Sequence, residues 1–363
     1  MLPVQTPTTD ASPKIRVLVV DDSVVIRRIL VDALASEPLV EVVGTAANGA
    51  LAIERVKALR PDLVTLDIEM PEMDGISALR EIKKLNRRIR VIMCSTLTER
   101  GAAVTMDALA AGADDYITKS SNNYGDAGLA GLKAPLLAKV RQFFPESARP
   151  AKVAGGVKEA APRVAAAPRA VQKRPQAIVI GVSTGGPNAL ATVIPALPAD
   201  LRLPVLIVQH MPPMFTRLLA ERLNGASKLN VVEAAEGMTV ERGTVYIAPG
   251  DFHMTVQREA GRVAIKLNKD PMENSCRPAV DVLFRSAASV YDGATVAVIL
   301  TGMGQDGHKG VRQLRSMGAT VIAQDEATSV AWGMPGYVVR DGLADHVCAL
   351  NAVAPEIARQ ASR

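Results

Sequence analysis

The chain has 363 residues, of which 48% are hydrophobic and 3% aromatic, and a formal net charge of +5. This length fits two domains with separate cores, and the absence of any run of about 18 apolar residues predicts no membrane span. The basic excess is local, because residues 141–175 carry eight basic and two acidic groups. A charge confined to one segment argues against a nucleic-acid-binding domain face.

The first fourteen residues, MLPVQTPTTDASPK, have neither the basic n-region nor the apolar h-region of a secretory signal. We predict that residues 1–14 form a disordered tail. The three cysteines, Cys94, Cys276 and Cys348, form no CxxC pair, which favours reduced thiols in a cytoplasmic protein over a disulfide framework. The four histidines include no pair at ligand spacing, which argues against a zinc site.

Short apolar runs alternate with helical patterns throughout residues 15–144. The predicted strands are IRVLVV, VEVVGTA, DLVTLD, VIMCS and DYITK, and helical stretches such as VVIRRILVDALA and ISALREIKKL separate them. Five such units predict a doubly wound parallel α/β sheet with helices on both faces.

Polar residues follow four of these strands at the point where each ends. Asp21 and Asp22 follow the first strand, Asp67 ends the third, Ser95 the fourth and Lys119 the fifth. Close carboxylates repel one another unless a divalent cation lies among them, and Mg²⁺ prefers oxygen ligands. A carboxylate beside such a cation can accept a phosphoryl group, so this half is interpreted as a phosphorylatable switch.

Residues 15–144 closely resemble the receiver domain of two-component response regulators, which has a flavodoxin-like fold. The resemblance implies that a histidine kinase supplies the phosphoryl group. It also implies these roles: phosphorylation of Asp67, Mg²⁺ binding by Asp21, Asp22 and Asp67, phosphoryl contacts by Ser95 and Lys119, and a switch aromatic at Tyr116. Plain packing at a sheet edge is the alternative for Tyr116.

Residues 145–175 have no helical or strand period and are dense in proline, alanine and basic residues. This composition predicts a flexible linker. A second α/β pattern begins near residue 176 and extends to about residue 360. Its predicted strands include AIVIG, PVLIVQ, TVYIAPG, TVAVIL and TVIAQ, and the pair DFHMTVQRE and RVAIKLN predicts a β-hairpin at the sheet margin.

Three apolar strands of the second half each lead to one residue of a hydrolytic triad. AIVIG is followed by Ser183, PVLIVQ by His210, and TVAVIL by a loop that contains Asp306. Because ligands bind beyond the carboxyl ends of parallel strands, these residues are expected to meet at one edge. They are predicted to act as nucleophile, general base and orienting carboxylate. The second half is therefore predicted to be a Rossmann-like hydrolase domain.

The chain order of the triad and the choice of its histidine each have an alternative reading. Residues 181–185 match G-x-S-x-G, but the chain order Ser183, His210, Asp306 differs from that of α/β-hydrolases, in which the acid precedes the histidine. His253, His308 and His346 are rivals of His210. We prefer His210 because a strand leads directly to it at the edge where Ser183 emerges.

The segments GVSTGGP, QHMP, SCRPAVDVLF and LTGMGQDG together resemble the catalytic domain of the chemotaxis methylesterases. The resemblance implies the triad roles given above and an oxyanion hole formed with the help of the Met303 N–H and supported by Thr184. Arg277 and Asp281 lie in a matching segment, but helix capping and pairing explain them at least as well.

The combined resemblance implies a phosphorylation-activated enzyme of chemotaxis adaptation. It would remove methyl esters from glutamates of chemoreceptors and deamidate receptor glutamines, in the cytoplasm and recruited to receptor arrays. Mg²⁺ would act in the receiver, and the esterase step would need no cofactor. The receiver is expected to block the Ser183 cleft, so that deletion of residues 1–175 raises basal activity. Two alternatives stay open: a receiver-gated hydrolase for another ester or amide, and a non-catalytic output module that binds a partner or nucleic acid.

Overall fold

The structure is a computed structural model that describes residues 14–96, 98–119, 126–144 and 171–363, with the backbone alone for 126–131. The chain divides into two compact units, Met1–Ala161 and Pro162–Arg363. The predicted tail and most of the predicted linker lie outside the described residues. Residues at the end of that linker contact the second unit, since Lys173 Nζ lies 2.7 Å from Asp292 Oδ2 and Pro175 is buried.

The first unit is a parallel five-stranded sheet flanked by helices, and this confirms the predicted doubly wound fold. Its strand order β2-β1-β3-β4-β5 is that of flavodoxin-like domains. The strands are β1 (Ile15–Val20), β2 (Val40–Ala46), β3 (Leu63–Asp67), β4 (Arg90–Thr96) and β5 (Asp115–Lys119). The helices are α1 (Val24–Ala35), α2 (Gly49–Leu59), α3 (Gly75–Leu85), α4 (Glu99–Ala110) and α5 (Asp126–Phe143).

Short polar side chains cap the first four helices, and the caps of α1, α2 and α4 follow within three residues of the preceding strand. Asn48 Oδ1 accepts a hydrogen bond from the Leu51 N–H at 2.8 Å, and Asp74 Oδ1 accepts one from the Ser77 N–H at 2.8 Å. Ser23 and Thr98 cap α1 and α4 in the same way. Because these caps satisfy the first free N–H groups, the connections stay short and the polar strand-end residues stay at one edge.

The second unit contains a parallel seven-stranded sheet of order β14-β13-β12-β6-β7-β9-β8. The strands are β6 (Ala177–Val182), β7 (Val205–Gln209), β8 (Asn230–Glu233), β9 (Thr244–Ile247), β12 (Thr295–Ile299), β13 (Thr320–Gln324) and β14 (His346–Cys348). The helices are α6 (Gly186–Val193), α7 (Phe215–Ala226), α8 (Val280–Tyr291), α9 (His308–Ser316), α10 (Met334–Arg340) and α11 (Leu350–Ala361). The chain order reverses at β6, which lies between β12 and β7, and such a switch point opens a ligand crevice.

The predicted hairpin exists, but its predicted place was wrong. Strands β10 (His253–Glu259) and β11 (Arg262–Asn268) form a separate two-stranded antiparallel sheet and not the margin of the main one. The hairpin packs on α8, where the Val256 N–H donates to Ser286 Oγ at 3.1 Å. Its buried face includes Met254, Val256 and Ile265, which share one core with Phe284 of α8.

The main sheet is buried between its helices. Every residue of β6, β7, β9, β12 and β13 is buried, which accounts for their continuous apolar runs. The shorter edge strands β8 and β14 are more exposed, and the sequence patterns did not predict them. None of the described helices has the combined length and apolarity that crossing a bilayer requires.

Candidate active site

The three predicted triad residues lie at one edge of the large sheet. Ser183 follows β6, His210 follows β7, and Asp306 lies in the loop after β12, and these strands are neighbours. His210 Nε2 and Asp306 Oδ2 are 2.8 Å apart. Ser183 is half-buried beside them, and among the described residues its hydroxyl has no hydrogen bond to His210. Catalytic hydrogen bonds are often long in ligand-free enzymes.

Close backbone packing fixes the turn that carries Ser183. The Ser183 N–H donates to the Thr301 carbonyl at 3.0 Å, and Gln209 Nε2 donates to the Ser183 carbonyl at 3.0 Å. A Cβ on Gly302 would lie 2.8 Å from Ser183 Cβ and 2.4 Å from Met334 Sδ, so only glycine permits this approach. The loop after β12 is thereby held directly against the candidate nucleophile.

Asp306 is anchored as an ionised carboxylate. Its Oδ1 accepts the N–H groups of Asp281 at 3.0 Å and Gly307 at 2.9 Å, and Oδ2 accepts the Val280 N–H at 2.7 Å. Its side chain is only 2% exposed. Burial opposes ionisation, but the hydrogen bonds from His210 and from the backbone outweigh it and lower the pKa of Asp306. The carboxylate can therefore orient His210 and stabilise its protonated form.

The imidazole of His210 has a defined tautomer. Because ionised Asp306 can only accept, Nε2 carries the proton of the neutral imidazole and Nδ1 has the free electron pair. Cys276 Sγ lies 3.5 Å from Nδ1. Burial lowers the pKa of His210, but the hydrogen bonds to Asp306 and Cys276 raise it by more, so that it lies above the ordinary value of 6.5. Nδ1 is the nitrogen that can act as a base.

The other three histidines have hydrogen-bond or ion-pair partners outside the triad. His253 is buried with both nitrogens engaged, one with the Ala279 N–H at 3.2 Å and the other with the Pro271 carbonyl at 3.1 Å. His308 pairs with Asp341 at 2.8 Å, and His346 lies 3.4 Å from Glu356. His253 thus has a structural role that the sequence did not indicate, namely fixing the loop before α8.

Asn274 is a positioning residue that the sequence patterns missed. Its Nδ2 donates to Asp306 Oδ1 at 2.8 Å and to Asp281 Oδ2 at 3.1 Å. Its backbone lies in the left-handed region, with φ of 52°, which asparagine adopts more readily than most residues. The role of Asn274 depends on its positive φ and on contacts with residues distant in the chain. Neither produces a hydrophobic period or a motif spacing that sequence analysis could detect.

Arg277 and Asp281 have the capping and pairing roles that the sequence allowed. Arg277 Nη2 lies 2.6 Å from Asp251 Oδ1, and Asp281 Oδ1 accepts the Gly310 N–H of α9 at 2.7 Å. Thr184 follows Ser183 in the chain, and Met303 follows Gly302, the residue that packs against Ser183. Within the described part of the chain, no hydrogen bond uses the backbone N–H of either residue, so both donors are available to an oxyanion.

The first unit has a second polar site at the carboxyl edge of its sheet. Lys119 Nζ lies 2.6 Å from Asp21 Oδ2 and 2.7 Å from Asp67 Oδ1. One oxygen each of Asp21, Asp22 and Asp67 fall within 4.8 Å of one another. A cavity of about 260 Å³ adjoins this cluster. Three converging carboxylates at this spacing fit a hard divalent cation such as Mg²⁺.

Electrostatics at this cluster favour a bound cation. Burial, together with the charge of Asp21, raises the pKa of Asp67 to about 6, although Lys119 opposes the shift. The lysine ammonium therefore does not compensate fully for the buried carboxylates. A divalent cation would supply the missing positive charge.

The other two predicted receiver residues are engaged differently. The Ser95 hydroxyl donates to the Gly101 carbonyl at 3.1 Å and accepts from Thr105 Oγ1 at 2.5 Å. It lies at the wall of the cavity beside Asp67, but its two shorter hydrogen bonds are to α4. Tyr116 is half-buried on β5, with Lys139 Nζ 6.0 Å from its ring centroid. Their phosphoryl-contact and switch roles stay predictions.

Replacement of Asp67 by asparagine should stabilise the metal-free first unit at pH 7. Because the pKa of Asp67 rises from 3.8 to about 6 on folding, its ionisation costs stability as pH rises through this range, and asparagine avoids that cost. We expect an increase of roughly 1–3 kcal/mol in the free energy of unfolding, measured by urea titration. Asp32→Asn, at an exposed position, is the control, and a destabilised Asp67→Asn chain would contradict the expectation.

Comparison with known proteins identifies the family of each unit. Residues 178–357 match the CheB methylesterase family, and residues 17–124 match the response regulator receiver domain. A protein-glutamate methylesterase/protein-glutamine glutaminase of Nocardioides sp. is 48% identical, over 97% of this chain and 96% of the relative. One of the same name from Thermotoga maritima is 46% identical, over 92% and 94%.

A solved structure gives the same result for the second unit. The Thermotoga maritima CheB methylesterase catalytic domain is 46% identical, with a TM-score of 0.50, and the match covers 51% of this chain and 98% of that domain. Relatives at this identity, aligned over nearly the whole chain, establish descent from a common ancestor. The chain therefore belongs to the CheB methylesterase family and carries a response regulator receiver domain before the methylesterase domain.

Proposed function

We propose that this protein is a serine hydrolase that removes methyl esters from glutamates of chemoreceptors and deamidates receptor glutamines. The observation that carries the proposal is the 2.8 Å pair of His210 and Asp306 at the sheet edge where Ser183 emerges. The names of full-length relatives supply the substrate class. A parallel sheet edge with a preorganised base and free N–H donors suits acyl transfer.

The reaction follows from the orientation of these groups. Ser183 Oγ attacks the ester carbonyl carbon while His210 Nδ1 accepts its proton. Asp306 stabilises the resulting imidazolium through the Nε2–H. The N–H groups of Thr184 and Met303 hold the oxyanion, each such donor contributing roughly 10²–10³-fold in rate. His210 then protonates the departing methoxide, and water hydrolyses the acyl-enzyme by the same steps in reverse order. An amide substrate releases ammonia in place of methanol and passes through the same acyl-enzyme.

The pH dependence of the reaction follows from the raised pKa of His210. The histidine must be neutral to accept the proton of Ser183, so activity falls as pH drops through its pKa. Since the pKa lies above 6.5, kcat/KM should rise with pH through a midpoint above that value. A pH–rate profile of the wild type measures this midpoint. A midpoint at or below the ordinary histidine value would contradict the hydrogen-bond network described above.

Regulation is proposed to start at Asp67. Asp21, Asp22 and Asp67 would hold Mg²⁺, which supplies the charge that a phosphoryl acceptor needs beside it. A chemotaxis histidine kinase donates the phosphoryl group, and the acyl phosphate formed at Asp67 carries about −1.5 to −2 charge in place of the single negative charge of the carboxylate. Lys119, already paired with Asp67 at 2.7 Å, would be drawn to the phosphoryl oxygens. The enzyme would work in the cytoplasm at receptor arrays, and loss of the inhibiting receiver would raise its activity.

Methanol release from methylated chemoreceptor membranes tests both parts of the proposal. We expect release by the wild type to increase when Mg²⁺ and a small acyl phosphate are added. Asp67→Asn should keep the basal rate but not respond, because it lacks the acceptor oxygen. If the wild type released no methanol, the second unit would act on another ester or amide, or would bind a partner without catalysis. An equal response of Asp67→Asn would contradict the assignment of the phosphorylation site.

A further inference from the structure

Cys276 contacts the catalytic histidine from the side opposite Asp306. Its Sγ lies 3.5 Å from His210 Nδ1, while His210 Nε2 lies 2.8 Å from Asp306 Oδ2. One ligand atom each of Cys276, His210 and Asp306 fall within 4.8 Å of one another. The proposed ester hydrolysis uses the histidine and the aspartate but has no role for the thiol.

The loop that carries Cys276 holds the thiol in place. Glu273 and Cys276 exchange two backbone hydrogen bonds of 3.1 and 2.9 Å. The carboxylate of Glu273 is paired with both terminal nitrogens of Arg285 on α8, at 2.8 and 2.5 Å. The sulfur is therefore positioned beside the imidazole before any ligand arrives, which lowers the cost of binding.

The distance between sulfur and nitrogen fits one metal ion. Tetrahedral Zn²⁺ has Zn–N distances of about 2.0–2.1 Å and Zn–S distances of about 2.3 Å, which place the two ligand atoms roughly 3.5 Å apart. The observed separation is 3.5 Å. Metal-binding histidines usually donate their other N–H to a carboxylate, and Asp306 provides that partner. Because Asp306 already accepts four other hydrogen bonds, it acts as this outer partner and not as a ligand.

We propose that Cys276 Sγ and His210 Nδ1 form a binding site for Zn²⁺, with water in the remaining positions. Binding forms a Zn–S and a Zn–N bond in place of two Zn–water bonds, and it releases to solvent the thiol proton and, where His210 is protonated, the Nδ1 proton. The sequence argued against a zinc site because its histidines include no pair at ligand spacing, whereas the two ligands proposed here are 66 positions apart. When Nδ1 coordinates the ion, its electron pair is no longer available to accept the proton of Ser183. Zinc therefore inhibits the esterase reversibly. This inhibition rests on the proposed function, whereas binding does not.

Zinc titration of the full chain, with excess Mg²⁺ present to occupy the receiver carboxylates, tests the site. Competition with a chromophoric chelator should show one Zn²⁺ per chain. Loss of a group that only hydrogen-bonds a metal ligand weakens metal binding by roughly 10–100-fold, so Cys276→Ser, which removes a ligand, should weaken zinc binding by at least as much. Ser183→Ala should leave zinc binding intact. Cys348→Ser is the matched control, because Cys348 is a second partly buried free thiol. Wild-type affinity in Cys276→Ser, or loss of the site in Cys348→Ser, would overturn the proposal.

Thiol alkylation of the wild type gives a second readout that needs no variant to fold. Zinc should slow the reaction of Cys276 with iodoacetamide, followed by peptide mass spectrometry, and leave the rate at Cys348 unchanged. Equal alkylation of Cys276 with and without zinc would overturn the proposal even if the enzyme is inhibited. If zinc protected Cys276 from alkylation but the chain released no methanol, the zinc site would be supported and the proposed function would be contradicted.

Discussion

Ser183→Ala should lower methanol release from methylated chemoreceptors by about 10³-fold or more. The substitution removes the atom that forms the acyl-enzyme and leaves only the contribution of the oxyanion donors and of substrate binding. The Ser183 hydroxyl makes no hydrogen bond within the described residues, so its loss should leave the fold intact. The measurement is the initial rate of methanol release at matched enzyme concentration, with the melting temperature of each variant determined in parallel.

The control for this variant is a serine on the same unit but away from the sheet edge. Ser289 on α8 is suitable, since its hydroxyl donates to the Arg285 carbonyl at 3.1 Å and the contact is exposed. Ser289→Ala should retain wild-type activity. If Ser183→Ala retained substantial activity, the nucleophile would lie elsewhere, and Cys276, 3.5 Å from His210 Nδ1, would be the next residue to test.

Asp306→Asn should lower kcat on the order of 10⁴-fold, the effect of the corresponding change in chymotrypsin-type proteases. An amide group can donate to His210 Nε2, which moves the proton of the imidazole to Nδ1. Nδ1 then cannot accept the proton of Ser183. The amide nitrogen also faces N–H donors that now bond to the carboxylate, and an unsatisfied buried donor costs about 1–3 kcal/mol.

Asp341→Asn is the matched control for this prediction. Asp341 pairs with His308 at the same 2.8 Å separation as Asp306 with His210, but on an exposed pair. Its replacement should leave kcat unchanged and the chain nearly as stable as the wild type. We expect a lowered melting temperature and lost activity for Asp306→Asn alone. Full activity in Asp306→Asn would show that His210 keeps the productive tautomer without the carboxylate.

The sequence predicted both sheets and the edge at which each site lies. This was possible because buried parallel strands are continuous apolar runs, and the residue after each run must lie at the carboxyl edge. Ser183, His210 and Asp67 follow or end such strands, so their approximate positions could be derived without coordinates. Asp306 was predicted in the same way, although it lies several residues beyond β12.

Features that depend on contacts between distant segments could not be predicted in this way. The hairpin β10–β11 is alternating in pattern, but its separation from the main sheet depends on the apolar face of α8 that it covers. The edge strands β8 and β14 are four and three residues long, too short for a clear period. The local sequence pattern indicates that a segment is a strand, whereas tertiary packing determines which strands and helices lie beside it.

The sequence by itself determined the two α/β units, the order of their main strands along the chain and the residue types that each sheet edge presents. Only the tertiary structure decided which nitrogen of His210 is free, because that depends on Asp306, 96 positions away. It also decided that Asn274 and Cys276 flank the triad, since their loop has no periodic pattern and is held by contacts with Asp306, Glu273 and Arg285. Side-chain hydrogen bonds between distant segments form only when the sheet brings those segments together.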